Sequence, residues 1–128
     1  MSARSRVRAV LELRRSSGGC DDGDMADPSY ATLATFDMDL GREDEQRVGL
    51  EQVIVPGVRR HPGFISGTWT LDRSSSHSYV MLTYESLESA EAMKANIGAN
   101  AEGQAAVGIT LVEVRVLEVT AVAAAGLQ

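Results

Sequence analysis

Between Tyr30 and Val122 the apolar positions switch period repeatedly, and each switch marks an element. Tyr30, Thr32, Ala34, Phe36 and Met38 alternate with Ala31, Leu33 and Thr35, which predicts a strand over Tyr30–Met38 with both faces covered. Leu40-Gly41 then turns the chain, and Glu43, Asp44 and Glu45 stand where the positive end of a helix favours acids. Leu50, Ile54 and Val58 recur at i, i+4, i+8, flanked by Val53 and Gly57, so a helix is predicted from Arg42 to Arg60. Pro56 lies inside it, lacks a backbone donor and clashes with the preceding turn, so a kink or break is expected near Val55. Arg59, Arg60 and His61 suit the negative end of that helix, and Pro62-Gly63 stops it.

The period then returns to two. Phe64–Leu71 and His77–Tyr84 read as a hairpin joined by Asp72-Arg73-Ser74-Ser75-Ser76, with Ile65, Gly67, Trp69 and Leu71 sharing one face. On the second strand Ser78, Val80, Leu82 and Tyr84 share a face opposite His77, Tyr79, Met81 and Thr83. Ser86 is a good N-cap, and Leu87, Ala90, Met93, Ile97 and Ala101 form the apolar face of a second helix that frays from Asn100 to Gly108. A last strand is predicted over Ile109–Val122, with its apolar phase slipping at a bulge near Val116-Leu117.

Composition narrows the class. With 128 residues, 44% of them apolar and 5% aromatic, there is room for one ordinary domain with an aliphatic core. The net charge is −6; in residues 1–27 five arginines match Glu12 and four aspartates, so all the excess falls in residues 28–128. An acidic domain repels phosphate backbones, so nucleic acid is not an expected partner. No run approaches the ~18 apolar residues of a membrane span. Cys20 is the sole cysteine, which excludes an internal disulfide or a Cys-based metal site and agrees with a cytoplasmic location.

Residues 1–27 read as an extension outside the fold. Arg14-Arg15 lacks the apolar run of a twin-arginine signal, Ser17-Gly18-Gly19-Cys20 follows too charged a stretch for a lipoprotein signal, and four acids argue against a mitochondrial presequence. Two expectations stay open: a disordered tail, or an over-read preceding a true start at Met25.

The order β-α-β-β-α-β predicts an α+β, ferredoxin-like antiparallel sheet with two helices on one face, in a domain over residues 28–124. The helices can cover one side only, and the other carries more apolar candidates than water tolerates, so a homodimer packed sheet to sheet is expected. The stretches Tyr30–Met38, Val55-Pro56-Gly57-Val58-Arg59-Arg60, His61-Pro62-Gly63-Phe64, Trp69, Tyr79–Ser86, Ala90–Lys94 and Val112–Val119 together resemble the dimeric α/β-barrel superfamily and, within it, the antibiotic biosynthesis monooxygenase-like domains. The resemblance implies a dimeric α/β barrel. It also implies a pocket between sheet and helices for a small hydrophobic, aromatic or polyketide-type molecule, oxygenated without a cofactor. Haem-degrading members look as though they use an Asn on strand one, a Trp on strand three and a His on helix two. None of the three is so placed here, so no haem is expected.

Each candidate has two readings. Trp69, the only tryptophan, is either a pocket wall or a core or interface anchor. Phe36 on the first strand and Arg115 on the last are further substrate-binding candidates, Arg115 also being placed to pair with Glu113. His61, His77, Tyr79 and Tyr84 are the candidate proton acceptors; capping, solvent exposure and packing are their plainer uses. The two histidines lack a third ligand at metal-site spacing, so no metal is expected. A non-catalytic dimeric ligand-binding or stress-associated protein stands beside the enzyme as the other function class.

Overall fold

The computed structural model describes residues 28–125. The extension 1–27, with Cys20 and the expected start at Met25, lies outside the described residues. One compact unit, Ser29–Leu117, carries the helices and nearly all of the sheet. In the second unit the described residues, Pro28 and 118–125, contain no helix, and only Glu118 belongs to a strand.

Strand β1 spans Tyr30–Met38. A single 3₁₀ turn, Leu40–Arg42, leads into α1, Glu43–Gly49, with Asp39 accepting the Gly41 N–H at 3.0 Å and the three expected acids in the first helical turn. The helix then widens into a π turn, Leu50–Ile54, and resumes as α2, Val55–Arg59. The widening has a cause in the sequence. Pro56 offers no N–H and its ring needs room where a normal turn would put a carbonyl. In the π turn the Val55 N–H reaches back five residues to the Leu50 carbonyl, which absorbs the proline without a break. The expected interruption near Val55 is therefore a bulge in a continuous helical path.

Strands β2, Phe64–Asp72, and β3, His77–Tyr84, form the hairpin. Helices α3, Leu87–Ala99, and α4, Ala101–Ala105, follow, and β4, Ile109–Glu118, closes the order. The four strands lie in the order β2-β3-β1-β4, an antiparallel sheet with the helices on one face, as the ferredoxin-like expectation required. Gly63, with φ +81°, makes the turn from α2 into β2, and its carbonyl accepts the Glu85 N–H at 2.8 Å.

Register decides which side chains reach the helices. Ala34 pairs with Val80, Thr32 with Leu82 and Phe36 with Ser78 across β1 and β3. On β2, Trp69 pairs with Val80 and Gly67 with Leu82. Thr32 Oγ1 donates to the Ala90 carbonyl of α3 at 2.8 Å, which identifies this as the helix side. The core is Ala34, Val58, Val80, Leu82, Tyr84, Ala90 and Met93.

Four boundary or phase expectations need correction. A bulge between Phe64 and Ser66 turns Phe64 toward the core and leaves Ile65 exposed, so Ile65 does not share the face of Trp69. Asp72 ends β2 instead of opening the loop, because it accepts the N–H and hydroxyl of Ser74 at 3.0 and 2.7 Å and so ties the tight turn. Leu87 is exposed at the start of α3. Finally, β4 stops at Glu118, and its covered positions run Ile109, Leu111, Val114, Val116, Leu117; the phase slips at Val116-Leu117 as expected, and once more, unforeseen, between Leu111 and Val114.

Candidate functional site

Between sheet and helices lies a cavity of about 840 Å³, a size ordinary for small-molecule sites. Its sheet wall is Ala34, Phe36, Trp69, Val80 and Leu82; Leu50, Ile54 and Val58 come from the first helix, and Met93 and Ile97 from α3. Trp69 can turn its ring into this space because of Gly67, two residues earlier on the same face. A methyl group at Gly67 would sit 3.1 Å from the Trp69 ring and 2.9 Å from Leu82.

Polar groups gather at two edges. One is a set of amides, Asn96, Asn100 and Gln104, stepping by four along α3 and α4, with the Asn100 amide donating to the Asn96 carbonyl at 2.9 Å. The other is charged. Arg73, from the hairpin loop, grips Glu43 at the start of α1 through two bonds of 3.1 and 2.7 Å, and Arg47 approaches the same carboxylate at 3.6 Å. These hydrogen bonds and cations hold the Glu43 carboxyl below its ordinary pKa, so it stays ionised and is a poor proton acceptor. Gln46 is buried between the edges, its amide N–H₂ donating to the carbonyls of Asp39 and Val107 at 3.0 Å each, while its Oε1 has no partner.

The candidates from the sequence scatter. Trp69 and Phe36 both line the cavity; Arg115 lies on β4, exposed and paired with Glu113. None of His61, His77, Tyr79 and Tyr84 is among the residues lining the cavity. His61 Nε2 meets the Ser89 carbonyl at 3.3 Å and its ring packs edge-on against Tyr84 at 5.2 Å, joining the end of α2 to α3. Tyr84 is fully buried among His61 and Phe64, its hydroxyl unpartnered, and burial pushes its pKa up to about 12. A phenol held neutral so strongly does not act as a base near neutral pH. Tyr79 is half exposed on the far side of the sheet, with His77 tilted toward it at 6.2 Å. There Leu33, Ser66, Thr68, Tyr79 and Met81 border a second recess of about 370 Å³.

The residues that sequence reasoning passed over had signals of their own. Gln46 continues the apolar stripe of Leu50, Ile54 and Val58 backward by four, and a polar residue on a core stripe is informative. Asn96, Asn100 and Gln104 form a period-four polar stripe beside Met93 and Ile97. The Glu43–Arg73 pair, thirty residues apart, left no such trace.

No protein-family profile matches the sequence, and no curated protein matches it. Solved structures do match in fold. MupZ from Pseudomonas fluorescens superposes with a TM-score of 0.57 at 10% identity, covering 70% of this chain and 71% of that one. A monooxygenase from the gene ActVA-Orf6 of Streptomyces coelicolor, solved with nanaomycin D, gives 0.53 at 14% identity over 76% and 90%. A Deinococcus radiodurans protein assigned to the antibiotic biosynthesis monooxygenases gives 0.54 at 13% identity over 77% and 98%. The chain shares the fold of antibiotic biosynthesis monooxygenase-like structures, as its sequence resemblance implied.

Proposed function

We propose that residues 28–124 form a monooxygenase-like subunit that binds a flat aromatic or polyketide-type molecule between sheet and helices and supports its oxygenation without a resident cofactor. The observation carrying this reading is the cavity itself: about 840 Å³, mostly apolar, with Trp69 and Phe36 on its wall. In this scheme a ring CH₂ beside a carbonyl loses a proton. The carbanion forms a C–O bond to dioxygen, and the resulting peroxide sheds water to leave a new carbonyl. One CH₂ and one O₂ become one C=O and one H₂O. The protein's share is to hold the ring, orient its oxygens toward the amide edge and exclude bulk water. Because His61, His77, Tyr79 and Tyr84 lie off the lining, the proton leaves to water at the cavity mouth in this reading.

A second reading, a ligand-binding protein without catalysis, is favoured by that same lack of Tyr or His among the described lining residues. Oxygen uptake with a hydroxylated anthrone separates the two. Uptake above buffer, together with quenching of Trp69 fluorescence, supports the oxygenase. Quenching without uptake supports the binder.

The proposed assembly is a homodimer through the open sheet face, where Tyr79 and Met81 are each more than two-fifths exposed beside Leu33. Met81→Glu puts a charge on that face and should convert a dimer into a 13.7 kDa monomer in light scattering. A wild type already monomeric at micromolar concentration would remove the dimer from the proposal. No helix among the described residues is long and apolar enough to cross a membrane. The proposed compartment is the cytoplasm, on the strength of the cysteine content alone.

A further inference from the structure

Among the described residues lining the cavity, only three are charged: Glu43, Arg47 and Arg73. They form one cluster at one edge, two cations sharing one carboxylate, within a chain whose net charge is −6. Everything else on the wall is apolar or neutral. We infer that the cavity is specific for a polycyclic ligand bearing an anionic oxygen group, a carboxylate on the ring edge, which Arg47 and Arg73 bind in place of Glu43; this rests on the cavity reading of the proposed function.

Three features support the exchange. The Arg73 fork already holds a carboxylate in two-point geometry, at 3.1 and 2.7 Å, the arrangement a ligand carboxylate would adopt. Arg47 is under-used, its contacts to Glu43 and Asp44 being long at 3.6 and 3.4 Å. Both arginine side chains are more than half exposed, so their ion pairs are of the weak, replaceable kind. Glu43 then acts as a built-in competitor. It keeps the two arginines from repelling each other when the cavity is empty, and it sets a threshold that neutral aromatics cannot use and anionic ones can overcome.

The test uses the full chain, Trp69 fluorescence, and two probes: anthraquinone-2-carboxylate and its methyl ester. The acid should bind about tenfold tighter than the ester, equivalent to about 1.4 kcal/mol, and the preference should shrink in 1 M salt. In Arg47→Gln/Arg73→Gln the acid should fall to the level of the ester while the ester is unchanged, which also reports that the variant is folded. Glu43→Gln should strengthen acid binding and leave the ester alone. Equal affinity for acid and ester in the wild type overturns the anion assignment and leaves the aromatic cavity standing; so does an equal loss of both probes in the double variant. Quenching by neither probe overturns the cavity reading, and this inference with it.

Discussion

The Trp69 ring lies against Gly67: a Cβ built on the glycine would come 3.1 Å from Cζ3 and 3.2 Å from Cη2 of the indole, and 2.9 Å from Leu82 Cδ2. The two residues share the helix side of β2, so the absent side chain leaves the space that the indole fills. Gly67→Ala should push Trp69 further into the cavity and destabilise the fold by about 1–3 kcal/mol, the usual cost of overpacking. Urea unfolding followed by tryptophan emission measures both effects at once. An unshifted emission maximum with unchanged stability would show that the ring does not depend on the glycine.

Tyr84 supplies a pH prediction with a definite sign. Its pKa is raised from 10.0 to about 12 by burial. Below pH 10 the folded and unfolded states both keep the phenol proton, and stability is indifferent to this group. As pH rises from 10 toward 12 the unfolded chain loses its proton first, so unfolding is favoured and stability falls until the folded phenol also ionises. Tyr84→Phe should abolish that alkaline loss. Since the hydroxyl is buried without a partner, the variant should be no less stable at pH 7, with a gain on the order of 1 kcal/mol. Thermal melts of both proteins between pH 7 and 12 provide the check.

The architecture was legible because period and punctuation agreed at nearly every step. The alternation over Tyr30–Met38, the stripe Leu50-Ile54-Val58, the stop at Pro62-Gly63 and the cap at Ser86 all appear as read. What failed were matters of register. A single bulge at Ile65 reversed that residue, and β4 carries a second phase slip between Leu111 and Val114 besides the expected one at Val116-Leu117, because pairing partners, not local pattern, decide where a strand absorbs an extra residue. The site was harder to read. Trp69 and Phe36 were visible as large aromatics on strands, but the titratable candidates were chosen by chemistry alone, and chemistry says nothing of which way a strand faces. Tyr79 and Tyr84 alternate out of phase by an odd step, so at most one could face the helices; the one that does lies in the packed core. Glu43 and Arg73 meet only because the hairpin loop folds back over the start of α1, a tertiary fact with no local signature.

Thr32 is a polar residue with no exposed surface, and its hydroxyl is spent on the Ala90 carbonyl. That bond fastens the first strand to α3 across the top of the core. Thr32→Val keeps the shape and removes the donor. The Ala90 carbonyl retains the ordinary helical acceptor position within α3, so the loss should stay near one net hydrogen bond, about 1 kcal/mol. Thr32→Ala should cost more, because it also leaves a void beside Leu82. Denaturant midpoints measured at unchanged slope would separate these, and a Val variant as costly as Ala would mean that packing, not the hydroxyl, holds the helix.

Gly49 and Gly57 flank the π turn, and an added methyl at either meets nothing within 4 Å in the single chain. Neither needs a positive φ, so both positions carry the entropic penalty of glycine without a local geometric reason for it. Alanine at each should stabilise by about 0.5–1 kcal/mol. Eight residues apart, with no shared neighbour, the two gains should add. Chemical denaturation of the single and double variants reads this directly. Both glycines border the cavity, so if alanine at either site instead lowers stability, the open space beside that glycine must be filled by something outside this chain, and the cavity rim at the first helix would become the contact to map.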